Sequence, residues 1–269
     1  MIPGFLLSLR EGLEAALIIG IVVGGLQKIG RSNLMASLWI GVFSAVILSL
    51  LSALLLNALG AELEGKAEEI FEGTTMLLAA GVLTWMIYWM RRQSRGFKSR
   101  LEGNVQKASS YTGKGALFLL SFASVLREGI ELALLLTAAS LTSSGIQTIL
   151  GALLGLLVAC ILGYLLFAST IRLNLTRFFQ LTALLLILFA AGLVSHSVHE
   201  FNEAGLIPTI IAPIWNLNSI MDDHSVVGML LGTLFGYNGD PSLTEVLAYI
   251  IYMLGVYALF QRIKFIPDH

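Results

Sequence analysis

The chain has 269 residues, 57% of them hydrophobic and 12% charged, with a formal net charge of −1. Soluble domains carry about 25% charged residues, so a soluble globule is excluded. The single cysteine, Cys160, leaves neither a disulfide framework nor a thiolate cluster for a soft metal, and its apolar surroundings predict a packing role.

A bilayer core needs about 20 apolar residues per helix, and the chain offers seven such stretches. The first, 3–27, is interrupted by Arg10-Glu11-Gly12-Leu13-Glu14 and has no basic residue before it, which argues against a cleaved signal peptide. The second is 36–59, followed by an acidic connection. The third, 71–91, leads into a basic connection running to residue 114, read as an anchor on anionic lipid, with no nucleic-acid partner implied. The fourth, 115–139, carries Arg127-Glu128-Gly129-Ile130-Glu131; the fifth and sixth are 147–169 and 178–199. Residues 201–242 are too long for a simple connection, and their apolar run Val226–Phe235 is too short to span, so a re-entrant or interfacial vestibule segment is expected there. The seventh stretch is 243–262. The expected fold is one all-α integral membrane domain, 1–269, of seven transmembrane helices.

Thirteen of the 16 basic residues fall in the connections after stretches one, three, five and seven. Positive charge marks the cytoplasmic side, so the N-terminus is expected outside and the C-terminus inside. The opposite side is acidic and would concentrate cations. The two charged motifs lie 117 residues apart, each opening a group of three helices, and Ala79-Ala80-Gly81 is echoed by Ala190-Ala191-Gly192. Two odd-numbered groups must cross in opposite senses, which predicts inverted repeats over about 3–91 and 115–199 plus a seventh helix. Substrate sites in such proteins form where the repeats meet.

Residues three and four apart share a helix face, so Glu11 and Glu14 point together with Arg10 one turn away, and Glu128, Glu131 and Arg127 repeat the pattern. Antiparallel helices one and four would set these carboxylates level, just outside the midplane. Four carboxylates with two arginines favour a multivalent cation, and an all-oxygen ligand set suits hard ions. A buried ion pair orienting two helices would account for one such motif; the same costly residues at two equivalent positions argue for a shared site. Glu11, Glu14, Glu128 and Glu131 are therefore the expected metal ligands, with Arg10 and Arg127 balancing charge.

The two motifs, the segment Phe71-Glu72-Gly73 leading to Leu83-Thr84-Trp85-Met86, the string Ile171-Arg172-Leu173-Asn174-Leu175, Ala190-Ala191-Gly192-Leu193 with Glu203-Ala204-Gly205-Leu206, and Phe235-Gly236-Tyr237 resemble the oxidase-dependent iron permease family over nearly the whole chain. That family takes in the fungal high-affinity iron permeases and the bacterial Efe-system permeases. The resemblance implies seven spans in a bacterial inner membrane and iron, Fe³⁺ or Fe²⁺, imported as substrate with no permanently bound cofactor. It also implies the motif glutamates as iron ligands, and an extracytoplasmic oxidase or haem-peroxidase and cupredoxin-like proteins as partners.

Glu68, Glu69 and Glu72 at the outer end of the third helix, with His199, Glu200 and Glu203 at the outer end of the sixth, form a candidate outer site receiving iron first. A solvated helix N-terminus explains the first three equally well, and satisfied interfacial polar residues explain the others and His196. Asp222-Asp223-His224 reads as a loop turn. Gly20/Gly24, Gly151/Gly155 and Gly228/Gly232 have the spacing of close helix packing. The rival readings are a manganese or lead carrier using the same carboxylates, an intramembrane enzyme, and a metal sensor; no HExxH motif or nucleophile–base arrangement supports the enzyme.

Overall fold

The computed structural model describes residues 1–93, 114–168, 175–218, 221–222 and 225–264. Most of the basic connection after the third stretch, residues 171–174 of the family-like string, and Asp223-His224 lie outside the described residues. All regular structure among the described residues is helical, because the apolar runs are rich in leucine and alanine and free of internal proline. The described residues form the α-helices α1 Ile2–Lys28, α2 Met35–Ala61, α3 Lys66–Gln93, α4 Lys114–Leu141, α5 Gly145–Ala168, α6 Leu175–Glu203, α7 Val226–Phe235 and α8 Leu243–Lys264. Pro3 sits in the first turn of α1, where its missing N–H leaves no bond unmade.

Among the described residues, five segments are long and apolar enough to cross a membrane: Ser32–Gly60, Lys66–Met90, Gly145–Leu166, Phe178–Glu203 and Leu243–Gln261. Helices α1 and α4, of 27 and 28 residues, have the length but are broken up by their Arg-Glu-x-x-Glu charges. The outward faces are apolar: Ile47, Leu50 and Leu54 on α2, Leu153 and Leu157 on α5, and Ile251 and Leu254 on α8 are all largely exposed. Water would oppose that arrangement and a lipid environment tolerates it.

Helix α1 packs along α5, α2 along α4 and α3 along α6, while α1 crosses α4 and α8 lies on α6. Exchanging α1, α2 and α3 for α4, α5 and α6 leaves this set of long pairings unchanged. Small residues make it possible. A Cβ on Gly12 would stand 2.8 Å from Ala159 Cβ on α5, and one on Gly163 would stand 2.8 Å from Ala16. On the other pair, Gly41 meets Phe118 and Ser121, Gly129 meets Ser49, and Ser121 Oγ donates to the Leu38 carbonyl at 3.0 Å. The central core gathers Leu7 of α1, Ala79, Ala80 and Leu83 of α3, Leu135 and Ala138 of α4, and Leu186 and Ala190 of α6.

Of the glycine pairs expected to pack, Gly151 and Gly155 do so, against Met1 and against Phe5 to Leu9. Gly24 does not: a Cβ there would meet nothing within 4 Å, because this face of α1 turns away from its neighbours. The short run before α8 forms α7, ten residues or about 15 Å long. Ser225 caps its start by accepting from the Gly228 N–H at 2.9 Å, and Gly236 ends it with φ 70°. Gly236 lies directly on Gly192 of α6, a backbone-to-backbone approach that no side chain on either residue would permit.

Candidate metal centre

Where α1 crosses α4, both charged motifs face one another. Glu11, Glu128 and Glu131 each bring a carboxylate oxygen to within 4.8 Å of the other two. A hard cation with metal–oxygen bonds of about 2.0–2.6 Å holds its ligands at most about 4–5 Å apart, so the trio has the dimensions of a metal cage. Glu11 and Glu128 are buried, and Glu11 Oε2, Glu128 Oε2 and Glu131 Oε2 are solvent-inaccessible with no hydrogen-bond partner among the described residues. Buried carboxylate oxygens are costly when unsatisfied, and three converging ones suit a cation.

The fourth motif carboxylate, Glu14, is engaged differently. Arg10 Nη2 lies 3.1 Å from Glu14 Oε1, and Arg10 Nη1 lies 3.0 Å from Glu11 Oε1. Glu14 also stands within electrostatic reach of Glu131 and Arg127 across the helix pair. On α4, Arg127 Nε bonds Glu131 Oε1 at 2.9 Å. The two arginines are not equivalent: Arg10 is fully buried, whereas Arg127 is 43% exposed. Gly12 and Gly129, inside the motifs, face α5 and α2, so close packing on one side of each helix sets the carboxylates on the other.

A second acidic group forms where the start of α3 meets the end of α6. Gly73 packs on Phe201 and its carbonyl accepts from Ser197 Oγ at 2.7 Å, which brings Glu69 and Glu72 into electrostatic reach of Glu200, with Glu203 also near Glu200 and Glu68 next to Glu72. His199 is tied between two carboxylates, Nδ1 at 3.2 Å from Glu245 and Nε2 at 3.4 Å from Glu203. His196 Nδ1 lies 3.0 Å from the Gly192 carbonyl of its own helix. Glu245, which the motifs do not single out, is a partner of His199. Its signal was present: Ser242-Leu243-Thr244-Glu245 before an apolar run is a capping box, with Glu245 Oε1 accepting from the Ser242 N–H at 3.2 Å and Ser242 Oγ accepting from the Glu245 N–H at 3.3 Å. Asn238 Nδ2 adds a bond to Glu245 Oε2 at 3.0 Å.

Helices with lipid-compatible outer faces around a buried glutamate cluster define a multi-pass integral membrane protein of the transporter class, with a centre fit for a metal ion. The sequence matches the iron permease FTR1 family over residues 1–266, and the chain belongs to that family. It is 39% identical over 257 residues to the ferrous iron permeases EfeU of Escherichia coli O157:H7 and of Shigella sonnei (strain Ss046), covering 94% of this chain and 93% of each relative. It is 36% identical over 262 residues to the ferrous iron permease EfeU of Yersinia pestis, covering 97% of this chain and 93% of the relative. No solved structure matches it.

Proposed function

We propose that this protein imports iron into the cytoplasm across a bacterial inner membrane through a site shared by the two Arg-Glu-x-x-Glu motifs. The observation that carries the proposal is the convergence of Glu11, Glu128 and Glu131 from two crossing helices, with an unsatisfied buried oxygen on each. Glu14 is the fourth ligand, freed when Arg10 lets go of it. Seven spans with the N-terminus outside form two inverted three-helix repeats and a last helix; the exchange-invariant helix pairing supports this arrangement. Passage proceeds by alternating exposure of the interface between the repeats. The relatives named as ferrous iron permeases support iron as the substrate.

Iron reaches this centre from the acidic group at the junction of α3 and α6, where Glu69, Glu72 and Glu200 are the receiving carboxylates and Glu68 and Glu203 attract cations at the rim. A separate extracytoplasmic oxidase, or haem-peroxidase and cupredoxin-like proteins, prepares the iron that is delivered. Iron uptake into proteoliposomes, supplied as ferric iron or as reductant-held ferrous iron, tests the assignment. Uptake is expected to be lost in E128Q and E131Q at normal expression, and unimpaired uptake in both overturns it. Manganese and lead in competition measure selectivity within the same donor set.

A further inference from the structure

We infer that Met86, Trp89 and Met90 on α3 are positioning residues that hold both motif arginines, so that the glutamates can be released to the metal. The inference rests on the four-glutamate reading above and adds residues to it. Each terminal nitrogen of Arg10 is shared between one carboxylate and one thioether: Nη1 between Glu11 and Met86 Sδ, Nη2 between Glu14 and Met90 Sδ. The guanidinium carbon of Arg127, whose Nε bonds Glu131, stands 4.9 Å from the centroid of the Trp89 ring. Three side chains on one face of α3 thus contact two guanidinium groups from two different helices.

Repeat symmetry alone would not give this arrangement. Aligning Ala79-Ala80-Gly81 with Ala190-Ala191-Gly192 sets Ser197, Glu200 and Phe201 of α6 opposite Met86, Trp89 and Met90. Those α6 residues are used elsewhere: Ser197 and Phe201 clamp Gly73, and Glu200 belongs to the acidic group at the α3–α6 junction. Both arginines therefore lean on α3, and none of the three α3 partners carries a negative charge.

Thioether sulfur is a weak acceptor and an indole face attracts a cation through its quadrupole, so both hold a guanidinium without competing as anions for the metal. When a cation takes the carboxylates, Arg10 without another partner would be a buried unpaired charge beside it, a costly state, and the more exposed Arg127 would lose its bond to Glu131. The α3 partners lower that cost. Removing them leaves the carboxylates as the arginines' remaining strong partners, and the metal must then break the ion pairs unaided.

The test is the initial rate of uptake of ferrous iron, held by excess reductant, into proteoliposomes of the full chain. W89L and the double variant M86L/M90L are each expected to raise KM about threefold to tenfold, the range of a partly desolvated cation–π contact, with maximal rate nearly unchanged. W89F, which keeps an aromatic face, should restore most of the parent KM. R127Q leaves no Arg127–Glu131 ion pair for the metal to break and should not raise KM, and adding W89L to R127Q should change nothing further. A W89L effect of the same size with and without Arg127, or unchanged KM in both W89L and M86L/M90L, overturns the inference. E128Q run in the same series separates the two readings: retained uptake there means that the glutamate site has failed, whereas lost uptake with a W89L effect independent of Arg127 means that only the α3 role has failed.

Discussion

At the scale of single residues, the two motifs are alike in sequence and different in setting. Arg10 is enclosed and paired with two glutamates, so replacing it strands buried carboxylates, at a cost of about 3–5 kcal/mol. Arg127 is 43% exposed, bonded to Glu131 and set against the Trp89 ring, so its loss strands no enclosed charge of that kind. R10Q is therefore expected to lower the thermal midpoint of the purified protein far more than R127Q; equal effects in a melting experiment would contradict the asymmetric burial. Gly12 gives a second residue-scale prediction. An added methyl there stands 2.8 Å from Ala159 Cβ, and such overpacking costs about 1–3 kcal/mol while pushing Glu11 and Glu14 out of register. G12A should depress iron uptake, and A159G in the same chain should restore part of it.

At the scale of elements, helix existence was legible in the hydrophobic runs, and the expected spans match α1 to α6 and α8 to within a few residues except at the start of α3. That helix begins at Lys66, five residues before the expected 71, because Glu68 and Glu69 in its first turn favour the positive end of the helix dipole although they read as a polar connection. Helix α7 coincides with the run too short to span. The junction of α6 with α8 was not legible, since the His199–Glu245 contact joins residues 46 apart. Its local half, the Ser242–Glu245 capping box, could be found from spacing alone. S242A removes that cap and is expected to cost about 1 kcal/mol, seen as a small drop in thermal midpoint. Iron uptake should be little changed, because the cap is not among the motif glutamates.

At the scale of the whole molecule, exchange of the first three helices for the second three preserves the pairings, and α7 breaks the symmetry. Gly192 is covered by Gly236, whereas a Cβ on its echo Gly81 would meet nothing within 4 Å. Larger side chains at Gly192 should dislodge α7 without touching the glutamates. G192L is expected to expose cysteines introduced on α7 to a membrane-impermeant thiol reagent added from outside, in a background with Cys160 replaced; unchanged labelling would place α7 away from that contact. The sequence by itself determined the membrane class, the helical character of the long apolar runs and the four candidate ligands, because a hydropathic period and charges within it are local properties of the chain. Only the tertiary structure decided that three glutamates converge while the fourth stays with Arg10, and that both arginines turn toward α3. Those outcomes depend on how helices distant in sequence cross and rotate, which close packing at Gly12, Gly129 and Gly192 fixes and no local pattern records.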